Sequence, residues 1–205
     1  MTRLLPLLVV LGLLLAGCEP ATGLASKLAA EGPSLIVVRD FRVEAATRVV
    51  VDTSFGFSLN RGQPGVPLSQ RAAGLARAAA FNIADALTER LRQQGYNAVH
   101  ADAHTPDPQG KAVIVTGVLR EINEGHRRRV GDEHAKIVAD AEIDDWSPGI
   151  RPVQALHLDS ARLADDGVTG PTGQGSAALG AAARRVGREI ARYVGAAAGR
   201  EGVGR

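Results

Sequence analysis

A single cysteine, Cys18, is present in 205 residues. One thiol excludes an internal disulfide and any zinc or iron–sulfur site built from several cysteines. Aromatic residues make up 3%, too few for the stacking platform that single-stranded nucleic acid uses. Charge of one sign is lacking as well: 24 Lys+Arg stand against 22 Asp+Glu, a formal net of +2. That is a small imbalance rather than a basic field, and nucleic acid is not an expected partner. Lysine is scarce (Lys27, Lys111 and Lys136), so arginine carries most of the positive charge. No apolar run reaches the ~18 residues of a membrane-spanning helix. The longest, residues 4–15, is interrupted by Pro6 and Gly12.

That short run is informative in its own right. Arg3 in front and Ala16-Gly17 behind complete the positive, apolar and small-residue parts of a secretory signal. Leu15-Ala16-Gly17-Cys18 resembles the bacterial lipobox, in which the cysteine sulfur receives diacylglycerol, the chain is cut before it and the new amine is acylated. The other reading is an ordinary signal peptide followed by an unrelated cysteine. Acyl chains contribute ~0.8 kcal/mol per buried CH₂, so two or three of them anchor firmly. Glu19 rather than Asp follows the cysteine, and by resemblance to the proteobacterial sorting rule this implies the outer membrane, periplasmic side, over the inner membrane. The expected organisation is a lipoprotein signal peptide at 1–17 and a lipidated, flexible tether at 18–34. A single periplasmic domain at 35–199 and a disordered tail at 200–205 follow.

Hydrophobic residues at 45% and charged residues at 22% suit one folded domain. Residues 35–43 (LIVVRDFRV) read as a strand, which 48–52 extend. Ser69 is the expected N-cap of a helix in which Leu75, Ala79, Ile83, Leu87 and Leu91 recur every four residues, and Gly95 closes it. Residues 96–101 and 111–122 read as strands, the second apolar on both faces. In 134–143, Ala135, Ile137, Ala139, Ala141 and Ile143 alternate with His134, Lys136, Val138, Asp140 and Glu142, the pattern of a sheet with one wet face. A strand at 153–160 hairpins back around 147–149. A final helix begins at Ser176 as N-cap and buries Leu179, Ala183, Val186, Ile190, Val194 and Ala197. The expected fold class is α+β: a two-layer sandwich, with a mostly antiparallel sheet packed by two main helices.

The stretches 36–41 (IVVRDF), 84–96 (ADALTERLRQQGY), 112–124 (AVIVTGVLREINE) and 125–143, in this order, resemble a bacterial lipoprotein family known as domain of unknown function 4410. The likeness runs from Ile36 to Ile143 and more loosely through the last helix. Members carry a more Gly-rich, apolar stretch where this chain has Val130-Gly131-Asp132-Glu133. The resemblance implies no activity. The family's broader likeness to periplasmic αβ lipoproteins implies a partner role in envelope assembly or transport.

Few residues present themselves as chemistry. His100, Asp102 and His104 would share one face of a strand at ~6.6 to 7 Å spacing, wide for a single ion at ~2.1 Å per bond. They read as a solvated strand end, and no metal is expected. Residues 170–176 (GPTGQGS) resemble a phosphate cradle but lack the lysine that such a loop needs before Ser176. Arg127, Arg128 and Arg129 cannot all be buried. They form either a solvated turn, partly balanced by Asp132 and Glu133, or a contact for an anion such as a lipid phosphate, lipopolysaccharide or an acidic partner. There is no Gly-x-Ser-x-Gly elbow, and the histidines lie scattered, so no catalytic residue and no cofactor is expected. The sequence thus points to a non-enzymatic, outer-membrane-anchored lipoprotein with lipid at Cys18 and an envelope protein as partner. Its contact surface would be the edge or open face of the sheet. The alternative is a carrier that holds a small ligand or lipid between sheet and helices.

Overall fold

In the computed structural model, the residues described are 35–52, 66–102, 104–108, 112–127, 132–146, 154–163, 173 and 175–197. The first strand segment breaks in two, β1 (Ile36–Arg39) and β2 (Arg42–Val50), followed by α1 (Leu68–Gln93), β3 (Ala98–Ala101) and β4 (Ala112–Asn123). A two-residue ribbon, β5 (His126–Arg127) with β6 (Asp132–Glu133), leads into β7 (Lys136–Trp146), β8 (Gln154–Asp159) and α2 (Ser176–Ala197). The main sheet runs β3-β1-β4-β7-β8, and β2 continues along the same side of β4 as β1. Two layers, one sheet and two helices, make an α+β fold.

The sheet is mixed rather than mostly antiparallel. β1 pairs parallel with both β3 and β4, and β2 parallel with β4, whereas β4–β7 and β7–β8 are antiparallel. The reason lies in α1, which separates β1/β2 from β3: a strand–helix–strand unit returns its second strand parallel. Because β3 and β4 flank β1 in the same direction, the chain leaving Ala101 must also pass back across β1. Arg39, on the face of β1 away from the helices, holds that return segment. Its Nη1 donates to the carbonyls of Asp102 and Thr105, and its Nη2 pairs with Asp107 at 2.7 Å. Val37, Ala101 and Ile114 on this face are consequently buried as a second small cluster. This accounts for the two-sided apolarity at the start of β4.

The main core lies between the sheet and the helices. Ala135, Ile137, Ala139, Ala141 and Ile143 are 0–6% exposed, so the alternation in 134–143 places its apolar face inward. On α1, Ala79, Ile83, Leu87 and Leu91 are buried and Leu75 packs against them. Much of the helix contact is alanine, and the two helices approach until backbone meets backbone at Gly187. Gly117 on β4 is needed for a related reason: a β-carbon there would run into the ring of Phe41 and stand 2.7 Å from the Asp140 carbonyl oxygen.

The helix ends differ from their expected form at the N-termini. α1 starts at Leu68 after Pro67, without a side-chain cap, so Ser69 lies inside the first turn. The Leu179 N–H donates to the Gly175 carbonyl, which makes Gly175 the capping residue and Ser176 the first helical one. The C-terminus of α1 is as expected. Gly95 has φ +86°, its N–H donates to Arg92 O, and the Tyr96 N–H donates to Leu91 O, the doubly bonded glycine stop.

Candidate functional site

The half of the sheet face that is away from the helices and beyond the reach of the 102–108 segment carries a cluster of charged side chains. It is assembled by a fault in the pairing. The register of β4 shifts between Leu119 and Glu121 against β7, and that of β2 shifts between Val43 and Arg48 against the same stretch. Arg120 is the extra residue, and a bulge re-aims its side chain. The Thr47 hydroxyl donates to the Leu119 carbonyl at 2.7 Å and accepts from the Glu44 N–H, so the irregular backbone keeps its hydrogen bonds.

Arg120 spans two strands. Its Nε is 2.6 Å from Asp140 Oδ2 and its Nη1 is 3.2 Å from Glu44 Oε2. The other oxygen of Asp140, Oδ1, lies 2.6 Å from His157 Nδ1 on β8, in keeping with the register Asp140↔His157. Burial alone would raise the carboxyl of Asp140, but hydrogen bonds and charge from Arg120 and His157 outweigh it and hold the group below its usual range. The Asp140 hydrogen bond raises the guanidinium of Arg120 further. A groove of about 290 Å³ opens beside these groups, lined also by Arg42, Glu142 and Leu156. An aspartate that orients an imidazole is half of a hydrolytic triad. None of the groove's described lining residues carries a hydroxyl or thiol, and Asp140 links His157 to Arg120 in a hydrogen-bonded ladder across the strands.

Further along β7, Asp144 sits opposite Ile114. Its Oδ1 is closed off from solvent and has no hydrogen-bond partner. Burial, with Glu142 nearby, pushes its carboxyl above the usual range. A second histidine pair lies at the C-terminal ends of the parallel strands, where His100 Nε2 is 2.7 Å from Asp40 Oδ1. The ring of His100 lies 5.2 Å, centroid to centroid, from that of the exposed Phe81.

The residues singled out in the sequence are dispersed. His100 is committed to Asp40, while Asp102 binds the N–H groups of His104 and Thr105 and the Thr105 hydroxyl, which lowers its carboxyl pKa with the hydroxyl first. Among the described residues no three His, Cys, Asp or Glu side chains converge as a metal site. In the glycine loop, Gly173 O accepts from Ala135 N and Gly175 N donates to Glu124 O, so these groups serve the fold. Arg127 contributes backbone to the β5–β6 ribbon. Its side chain, Arg128, Arg129 and Cys18 lie outside the described residues, as do 1–34 and 198–205. No helix among the described residues is long and apolar enough to cross a membrane.

Two helices on one face of a six-stranded mixed sheet, with a charged ladder on the other, define the class: an α+β domain with one covered and one half-open sheet face. Residues 36–130 match the family described as Domain of unknown function (DUF4410). Among solved structures it is similar to protein XCC0632 from Xanthomonas campestris, of family DUF330. The two share 12% identity, with 77% of this chain and 81% of that chain covered and a TM-score of 0.44. No curated protein matches.

Proposed function

We propose that the chain is a non-catalytic lipoprotein of the outer membrane, anchored through diacylglycerol and acyl chains on Cys18, with its domain in the periplasm. There it contacts an envelope protein through the half-open sheet face. The observation that carries this reading is the Glu44–Arg120–Asp140–His157 ladder on β2, β4, β7 and β8. Charged groups fixed on rigid strands give a partner a set pattern of complementary sites, which contributes specificity and register more than raw affinity. A groove whose described lining carries no hydroxyl or thiol favours contact over catalysis in this reading.

The start of β1 and the β5–β6 ribbon stand at opposite ends of β4. β1 begins beside Val113, and the β5–β6 ribbon follows Asn123, so ten steps of β4 separate them, roughly 33 Å.

Photo-crosslinking in intact cells tests the contact face. A photoreactive residue at His157 should yield a discrete crosslinked species, and one at Arg77, exposed on α1, should not. Equal or absent crosslinking at both positions counts against this face.

A further inference from the structure

A second concavity, of about 330 Å³, lies at the helix-side edge of the sheet, where the start of β7 and the turn after β8 meet α2. His134, Ala135, Ser160, Leu163, Ala178 and Arg185 are among the residues that line it. The half-buried Arg185 comes from the third turn of α2. Its Nη1 is shut off from solvent, and no acceptor among the described residues lies within hydrogen-bond distance. A guanidinium N–H withdrawn from water and left without an acceptor is costly. Ser160, 2% exposed, accepts the Ile137 N–H through Oγ, and its own hydroxyl proton is left to donate. The described lining therefore offers a fixed cation and a hydroxyl donor, with no carboxylate, on walls completed by His134, Gly173, alanine and leucine.

We propose that this concavity binds a small organic carboxylate: an oxyanion held by the Arg185 fork and the Ser160 hydroxyl, on a short aliphatic body set against Ala135, Leu163 and Ala178. A guanidinium matches a carboxylate in bidentate geometry, and the volume is at the small end of ligand pockets, too small for a whole lipid. The site is independent of the membrane anchor and of the open sheet face.

The test is octanoate binding to the full chain by calorimetry, with octanamide as the uncharged match and inorganic phosphate as the bare anion. Saturable octanoate binding is expected, with octanamide and Arg185→Gln each weaker by about tenfold or more. Arg185→Lys, which keeps the charge but not the fork, should recover part of the loss, with circular dichroism confirming that each variant is folded. No octanoate binding by the folded wild type, or equal binding by folded Arg185→Gln, overturns the site. Phosphate competing as well as octanoate overturns the aliphatic part. Binding seen only after Asp165→Asn and Asp166→Asn together, two carboxylates close after Leu163 in sequence, shows instead that the chain supplies its own anion and likewise overturns it.

Discussion

Gly187 of α2 rests on the carbonyl oxygen of Ile83 in α1. A β-carbon at 187 would stand 2.5 Å from that oxygen and 2.9 Å from the Leu87 nitrogen. Both neighbours are backbone, so neither can rotate away. Gly187→Ala should destabilise the domain by about 1–3 kcal/mol through overpacking. Gly180→Ala, two turns earlier, meets nothing closer than Arg184 Nη1 at 3.5 Å and should stabilise by about 0.5–1 kcal/mol, since alanine is the better helix former. Urea unfolding of the two variants should give shifts of opposite sign. Shifts of the same sign would place the helices further apart than described.

Glu124 ties three elements together. Its Oε2 accepts the Asp52 N–H at 2.9 Å and stands 3.9 Å from Arg71 Nη2, while its carbonyl accepts the Gly175 N–H. The residue is 8% exposed. Glu124→Ala leaves the Asp52 N–H buried without its acceptor and should cost about 1–3 kcal/mol. Glu124→Gln keeps an oxygen there and should cost less. Thermal unfolding measures both, and equal losses would mean that the hydrogen bond to Asp52 contributes nothing.

Asp140 and Asp144 should respond to acid in opposite directions. The folded pKa of Asp140 is depressed, so its contribution to stability is present above the unfolded value, ~3.9, and disappears as pH falls through the folded one. The folded pKa of Asp144 is raised. Its penalty is absent in strong acid, where both states hold the proton, grows as pH rises through the unfolded value and is constant above the folded one. Asp144→Asn should therefore stabilise the protein at pH 7 and do little at pH 3, whereas Asp140→Asn should destabilise it at pH 7 and lose that effect in strong acid. Urea midpoints of both variants at neutral and acid pH check this, and pH-independent effects would refute it.

The elements whose burial follows a single local period were legible in the sequence. The four-residue row from Leu75 to Leu91 and the alternation from Ala135 to Ile143 each need only one face turned toward the core. Relations set by the path of the chain were not legible. Parallel pairing of β1 with β3 and β4 depends on where α1 returns the strand and on a Pro-rich segment that crosses back over β1, neither of which has a short-range signature. The charged ladder depends on register, and one residue of slip turns every side chain to the other face. Strict alternation along β4 would put Arg120 and Ile122 on the same side. The bulge between Leu119 and Glu121 breaks that parity, burying Ile122 and leaving Arg120 to reach Asp140. Arg185 gave no signal, because an arginine on a helix rich in alanine and glycine reads as solvated until the turn after β8 is seen packed beside it.

The basic turn has its own test. Replacing Arg127, Arg128 and Arg129 together with Gln should weaken binding to vesicles containing anionic lipid, and the loss should shrink as salt rises. Unchanged binding would remove membrane phosphate as the anion and leave the acidic partner.

Membrane anchoring is tested most directly by the mass of the N-terminal peptide of the protein purified from membranes of cells that secrete it. A peptide that begins at Cys18 and carries a diacylglyceryl thioether with an acylated amine is the expected product. A free thiol at Cys18, or a chain that still begins at Met1, would mean that no lipid holds this domain at a membrane.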